Sequence, residues 1–352
     1  MGAWVNRTHG RAATRLAFVA LAGFSSVTGV VLILSIAPSA WATDAHRNLL
    51  AARALLDGTF GTVEGYLYSP LAAALTIPAL AVPEDAAVFG WLVLRAAILL
   101  ISTMIATRSL RPWDRLLVSV AAIAFLPVLY DLELGNVTIL VAATIALVAW
   151  TPDRASAGIP LGIVLATAPK PQLIPVLVWM VLFRRRALGG ALGAAGLATL
   201  GSLVVVGPGP YQSWIAALRA APDVPLGNLS LSGLPALVAI AAGCAVIIGT
   251  LLALRRGPAP GLVAALACGL LVSPYTILYA AGILLVAVPS LARAAPRTTL
   301  ALAMVAPAAL VVAFPPWVGS VMLLALMVPR RRWPREILTS RAPRDPSPAA
   351  AP

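Results

Sequence analysis

The sequence predicts an all-α membrane protein that crosses the bilayer many times. Of its 352 residues, 61% are hydrophobic and 11% are charged, and the mean hydropathy is +0.95, whereas soluble domains carry about 25% charged residues. Apolar stretches follow one another along the chain, so no length remains for a separate soluble catalytic domain. The net charge of +13 does not indicate nucleic-acid binding, because the arginines are dispersed in short segments at the ends of the apolar stretches.

The arginines predict the topology. Arginine accumulates on the cytoplasmic side of membrane proteins, so both termini and the segments with clustered arginines are expected inside the cell. These clusters begin at Arg7, Arg108, Arg184, Arg255, Arg293 and Arg330. The pattern gives twelve spans, at roughly residues 16–37, 86–107, 115–130, 136–150, 156–168, 171–183, 188–206, 232–254, 260–272, 275–291, 298–313 and 316–329. The chain is therefore expected in the plasma membrane as a multi-pass protein.

Some segments depart from a regular span. Several spans are shorter than the roughly 20 residues that a perpendicular helix needs, which favours broken helices around a cavity. The run 66–83 would make a thirteenth span and would place the basic C-terminal tail outside, so we expect a re-entrant or interfacial helix on the outer side. Residues 1–329 are expected to form one transmembrane domain, and 330–352 a basic, Pro/Ala-rich cytoplasmic tail. The first apolar stretch, about 22 residues long, exceeds the usual core of a cleaved signal peptide.

The first outer segment, residues 38–85, contains a predicted surface helix. Thr43 is expected to be its N-cap, and Gly58 to end it. Leu49, Ala52 and Leu56 recur at helical spacing and would form one apolar stripe. The helix is therefore expected to lie on the membrane surface.

Asp44, at the start of this helix, has two interpretations. The local one is a favourable interaction with the helix N-terminus or an ion pair with Arg47. The functional one is a general base at the bilayer surface, which requires a donor and an acceptor substrate.

Lys170 is the only lysine of the chain and lies between two apolar runs. The topology places it on the outer side, against the trend of the other basic residues. Burial of an unpaired ammonium group in hydrocarbon costs about 2.5 kcal/mol or more, so an anionic partner is expected. The alternative is a lysine that reaches water along its methylene stem.

Several short motifs together resemble glycosyltransferase family 87, the polyprenyl-phosphate-mannose-dependent mannosyltransferases of actinobacteria. In the first outer segment they are Asp44, Leu55-Leu56-Asp57-Gly58 and Tyr66-Leu67-Tyr68-Ser69-Pro70. Further along they are Leu134-Gly135-Asn136-Val137-Thr138, Lys170-Pro171, Tyr211 with Trp214, Gly227-Asn228-Leu229-Ser230, and Ser273-Pro274. The resemblance covers about residues 40 to 290. The family commonly has Gly-Gln-x-Asn where this chain has Gly135-Asn136-Val137-Thr138.

The resemblance implies a GT-C-type helix bundle with its active site on the outer face. It implies an inverting transfer of mannose from polyprenyl-phosphate-mannose to a lipid or polysaccharide acceptor, with Asp44 at the position of the base. The residue types fit this chemistry, because displacing a lipid phosphate needs a base for the acceptor hydroxyl and a cation for the phosphate. Lys170 is the candidate cation, with Arg53 or Arg219 as helpers. A single base suffices for inversion.

Other residues are candidates for holding the sugar or the acceptor. Tyr68, Tyr275 and Tyr279 can stack on sugar faces, although interfacial aromatics also form membrane belts. Asn136, Asn228 and Ser230 can bond sugar hydroxyls, although such residues also build turns.

Three alternatives remain open at this point. Asp131 and Glu133 form an acidic pair that suits Mg²⁺ or Mn²⁺, but lipid-phosphate donors lack the pyrophosphate that usually requires a metal, so no cofactor is expected. Decaprenyl-phosphate-arabinose is an alternative donor that needs the same residues. A lipid transporter or flippase would instead show paired halves and ionisable residues at mid-span, and the sequence shows no internal repeat.

Overall fold

A computed structural model of the chain describes residues 42–108, 112, 115, 126–220, 230–274 and 276–287, and every regular element within these residues is helical. The α-helices are α1 (Thr43–Leu56), α2 (Pro70–Thr76), α3 (Glu84–Thr107), α4 (Leu126–Leu134), α5 (Thr138–Trp150), α6 (Ala155–Thr167), α7 (Ile174–Phe183), α8 (Arg185–Val206), α9 (Pro208–Ala220), α10 (Ala236–Arg255) and α11 (Pro258–Val272). Short 3₁₀ helices cover Phe60–Thr62, Ile77–Ala81, Pro171–Leu173, Leu231–Gly233 and Leu278–Ala287. The spans predicted at 16–37, 298–313 and 316–329, most of 115–130 and the tail 330–352 lie outside the described residues.

Among the described residues, three helices, α3, α8 and α10, are long and apolar enough to cross a membrane. They correspond to the spans predicted at 86–107, 188–206 and 232–254. Large apolar side chains such as Phe89, Val204 and Leu237 are exposed on them, at 66%, 85% and 84%. Such a surface suits hydrocarbon rather than water, which supports a membrane protein.

The shorter apolar helices form the interior. Helices α5, α7 and α11 contribute Ile145, Trp179 and Leu266, which are fully buried. The run 66–83 contains α2 and the 3₁₀ helix Ile77–Ala81. These 12 residues would rise about 18 Å even as a regular α-helix, well short of the roughly 30 Å hydrocarbon core. Helices α5 and α6, which correspond to predicted spans, are only one residue longer, so the interfacial placement stays a prediction.

Helix α1 begins where the sequence predicts, but its cap differs. The N-cap is Ala42, in a left-handed conformation (φ 54°), and no side chain caps the helix. The prediction that Thr43 is the N-cap is therefore wrong, because the Ala42 N–H donates to the Glu133 carbonyl (2.8 Å) and sets the turn one residue earlier. Leu56 is 62% exposed and does not join the buried Leu49 and Ala52, whereas Gly58 follows the helix with φ 70°, as expected for a helix stop.

Helix α5 connects two chemically different ends of the bundle. At its C-terminal end, Arg184 donates to the carbonyls of Val148 (3.1 Å) and Ala149 (2.9 Å), and Arg108 donates to that of Trp150 (2.6 Å). Cations at a helix C-terminus are favourable because the last carbonyls carry partial negative charge. The other end of α5, which begins beside Asn136, holds the candidate catalytic residues.

Candidate active site

Asp44 lies in the first turn of α1, where the partial positive charge of the helix N-terminus favours a carboxylate. Its side chain is 18% exposed. The Nδ2 of Asn136 donates to its Oδ2 over 2.6 Å. Its Oδ1 has, within the described residues, one long contact of 3.5 Å to Arg47. One oxygen of Asp44 is thus fixed, and the other is available to accept a proton.

The hydrogen bonds around Asn136 assign its orientation. Its Oδ1 accepts from the Val137 N–H (2.7 Å) and from the Thr138 hydroxyl (3.1 Å), so its NH₂ group must face Asp44. Asn136 is 2% exposed. Its amide therefore links the start of α5 to a carboxylate 92 positions away in the sequence.

Gly135 allows these two segments to approach. It has φ 79°, and a Cβ atom added to it would lie 2.9 Å from both the backbone N and the Cβ of Ala45. Any larger residue would be strained and would push the turn away from α1. The Gly135 carbonyl accepts from Nε1 of Trp91 at 2.8 Å, which connects the turn to α3.

Arg95, in the middle of α3, was not identified from the sequence. It is 1% exposed and donates to the carbonyls of Asp131 (2.7 Å), Leu132 (2.8 Å) and Asn136 (3.1 Å). The available signal was an arginine inside an apolar span, because ionisable residues at such positions are usually functional.

Asp131 lies beside Arg95 at 3.8 Å and is completely buried. Its two oxygens accept the backbone N–H groups of Thr138 (3.1 Å) and Ile139 (3.3 Å), at the start of α5. The Glu133 side chain is also buried. A divalent cation at this pair would have to displace the contacts of Asp131 and lie next to a guanidinium group. In the described part of the chain, no three His, Cys, Asp or Glu residues cluster as a metal site.

Lys170 lies in the loop between α6 and the 3₁₀ helix Pro171–Leu173 and is half-buried. Its Nζ is 5.5 Å from the centre of the Tyr279 ring. Burial lowers the pKa of Lys170, whereas the carboxylates of Asp131 and Asp44 act in the opposite direction. Both carboxylates thus favour the charged form of Lys170.

Tyr68 approaches the same region from the first outer segment. The next residue, Ser69, donates from its backbone N–H to the Thr167 carbonyl (2.9 Å) and from its hydroxyl to that of Ala166 (2.6 Å). These bonds fix the Tyr68-Ser69-Pro70 motif to the end of α6. Burial raises the pKa of the Tyr68 phenol well above its usual value, and the charge of Asp44 raises it further. Tyr68 is therefore a neutral hydrogen-bond donor at pH 7.

Arg53 and Ser230, two further predicted site residues, have other hydrogen-bond partners. Arg53 is exposed and pairs with Glu84 at 3.2 Å. It follows Asp44 by nine positions, about 900° of helix rotation, so it projects from the opposite face of α1. Ser230 is buried and shares a 2.7 Å hydrogen bond with Ser232. Asn228 and Tyr275 lie outside the described residues, and Arg219 is exposed in the last turn of α9.

An apolar cavity of about 450 Å³ opens beside the cluster. Its walls come from α1, α2, α3, α5 and α6. They include Leu49, Tyr68, Ala72, Leu94, Leu140 and Val164. The cavity thus combines a hydrocarbon-like lining with a polar end at Tyr68.

The sequence model of glycosyltransferase family 87 matches residues 66–315. The chain belongs to glycosyltransferase family 87. A search of curated proteins and a search of solved structures each found no match. Asn136, Lys170 and Arg95 lie within the matched range, and Asp44 precedes it.

Membership of glycosyltransferase family 87 makes the chain an enzyme that transfers a sugar from a donor to an acceptor. Within the described structure, Asp44, Asn136, Tyr68 and Lys170 combine the groups that such a transfer needs. They supply a carboxylate with one oxygen held only by a long Arg47 contact, a fixed amide, a neutral phenol and an ammonium group.

Proposed function

We propose that the chain is an inverting mannosyltransferase that uses polyprenyl-phosphate-mannose on the outer face of the membrane. The acceptor is a lipid or polysaccharide of the cell envelope. The observation that carries the proposal is the 2.6 Å bond from Asn136 to Asp44. Ala45, the residue after Asp44, lines the apolar cavity. In this proposal the site belongs to a GT-C-type helix bundle, and both termini of the chain are cytoplasmic.

In the proposed reaction, the acceptor hydroxyl oxygen attacks the anomeric carbon of mannose. The bond from that carbon to the phosphate oxygen breaks, and its electron pair leaves with the lipid phosphate. Oδ1 of Asp44 takes the hydroxyl proton. Lys170 stabilises the negative charge that develops on the phosphate. No covalent sugar–enzyme intermediate is needed, so one carboxylate is sufficient for inversion.

The cavity suits the lipid part of the donor. Its lining is predominantly apolar and includes Tyr68, Ala45 and Ala168. Ala45 follows Asp44 directly and Ala168 precedes Lys170 by two residues, so in this proposal a prenyl chain in the cavity has its phosphate toward Lys170 and its sugar toward Asp44.

Transfer by purified protein tests the function directly. The protein is incubated with radiolabelled polyprenyl-phosphate-mannose and with envelope lipids and glycans extracted from a strain that lacks the gene. A parallel reaction contains decaprenyl-phosphate-arabinose. Mannose transfer with inverted anomeric configuration supports the proposal. Transfer of arabinose alone would show that arabinose, not mannose, is the sugar transferred. Turnover of neither donor refutes both donor assignments. Mass-spectrometric comparison of envelope glycolipids with and without the gene identifies the acceptor.

A further inference from the structure

Arg95 makes an unusual set of contacts for a residue in the middle of an apolar helix. Its Nη1 donates to the carbonyls of Asp131 and Asn136, and its Nη2 donates to that of Leu132. Its guanidinium group also lies 5.6 Å from the centre of the Trp91 ring. The planar fork thus holds both ends of the turn that connects α4 to α5.

The same turn controls both partners of the Asp44–Asn136 hydrogen bond. It carries Asn136, and the Glu133 carbonyl in the last turn of α4, directly before it, accepts the N–H of Ala42, two residues before Asp44. Gly135 contacts Ala45, the residue after Asp44. A shift of the turn therefore displaces Asn136 and the start of α1 together.

We propose that Arg95 is a positioning residue for sugar transfer, acting through Asn136 on the Asp44 carboxylate. This inference rests on the proposed function. Arg95 is not itself part of the cavity lining, although Trp91 beside it is. Within the described residues it donates to backbone carbonyls and faces Asp131. Its contribution is to keep the catalytic oxygen of Asp44 within the narrow range of positions that proton transfer tolerates.

Arg184 provides a matched control. It is also a buried arginine, 9% exposed, and it also donates to backbone carbonyls at an end of α5. Its guanidinium group lies 5.9 Å from the centre of the Trp179 ring, as that of Arg95 lies near Trp91. The two sites differ in that only Arg95 lies at the Asp44 end. Effects common to both arginines therefore report the loss of a buried guanidinium group rather than a role in transfer.

The experiment compares Arg95→Lys and Arg184→Lys in purified protein, using whichever of the two lipid-phosphate donors the wild type turns over. We expect Arg95→Lys to lower kcat about 10²-fold, because misplacing a catalytic group by about 1 Å has an effect of this size. The donor KM should stay within about threefold, since the donor contacts remain. Arg184→Lys should lower the melting temperature but leave kcat within about twofold of wild type.

A double-mutant cycle tests whether Arg95 acts through Asn136. In an Asn136→Ala background, Arg95→Lys should reduce kcat by less than about threefold further, because the link it supports is already lost. If Arg95→Lys fails to fold, the combination Arg95→Gln with Asp131→Asn removes both buried charges and leaves no unpaired ion. We expect this variant to show the same loss of kcat.

Two outcomes overturn the positioning role while leaving the proposed function intact. One is an equal loss of kcat in the Arg95→Lys and Arg184→Lys variants. The other is a double variant whose loss of kcat is the product of the losses in Arg95→Lys and Asn136→Ala, which would mean that the two residues act independently. A wild-type protein that turns over neither donor overturns the proposed function, and the positioning role with it.

Discussion

Replacement of Asp44 by asparagine separates the role of its charge from that of its shape. The amide has nearly the same size, and its Oδ1 can accept the hydrogen bond that Asn136 now gives to the carboxylate at 2.6 Å. An amide cannot accept the proton of an acceptor hydroxyl. The change therefore removes the base while it retains the contact that positions the side chain.

Asp44→Asn is expected to reduce activity far more than it reduces the free energy of unfolding. Loss of a general base lowers kcat about 10²- to 10⁴-fold, which corresponds to about 2.7 to 5.5 kcal/mol of activation free energy. For stability, conversion of the charge-assisted bond to a neutral one costs about 1 kcal/mol. The contact with Arg47 is 3.5 Å long and 47% exposed on the arginine side, so its loss costs at most about 1 kcal/mol. The variant should therefore fold and bind donor.

The assay measures kcat for mannose transfer together with the melting temperature in detergent, with and without donor. Asp57→Asn is the matched control, because Asp57 is an exposed carboxylate at the C-terminal end of the same helix. We expect wild-type kcat for Asp57→Asn and donor-induced thermal stabilisation for both variants. Turnover by Asp44→Asn within about threefold of wild type would show that Asp44 is not the base.

Three further predictions concern the donor, the cavity and the topology. Lys170→Ala should lower kcat/KM about 10²-fold by removing charge from the phosphate site, and Lys170→Arg should retain part of the wild-type value. Equal donor-induced shifts of the melting temperature in wild type, Lys170→Ala and Lys170→Arg would contradict phosphate binding by Lys170. Gly90 lines the cavity and has open space for a side chain, so a leucine there would fill part of the cavity. Gly90→Leu should therefore raise the KM of long-chain donors more than that of short-chain analogues. The control Gly193→Leu, at an unobstructed glycine of α8, should leave both KM values unchanged. In a cysteine-free background, an impermeant thiol reagent on intact cells should label a cysteine at Thr59 and not one at Arg256, and comparable labelling would reverse the topology.

Most of the described helices could be predicted from the sequence because they depend on local composition. The apolar runs predicted at 136–150, 156–168 and 260–272 form α5, α6 and α11 with bounds that differ by at most two residues. Their ends coincide with Pro, Gly or polar residues, which limit helices locally. The cap of α1 could not be predicted in this way, because the N–H of Ala42 is satisfied by the Glu133 carbonyl, far along the chain.

Composition and motifs along the chain indicate a membrane protein and a glycosyltransferase of family 87, and they identify Asp44, Asn136 and Lys170 as separate candidates. The packing of the helices shows that Asn136 bonds to Asp44, that Arg95 donates to the turn that carries Asn136, and that Arg53 faces away. Hydrophobic length and residue type are properties of a continuous segment, so the order of the chain records them. A hydrogen bond across 92 positions depends instead on how α1, α3 and α5 pack, and helical periodicity contains no information about that packing.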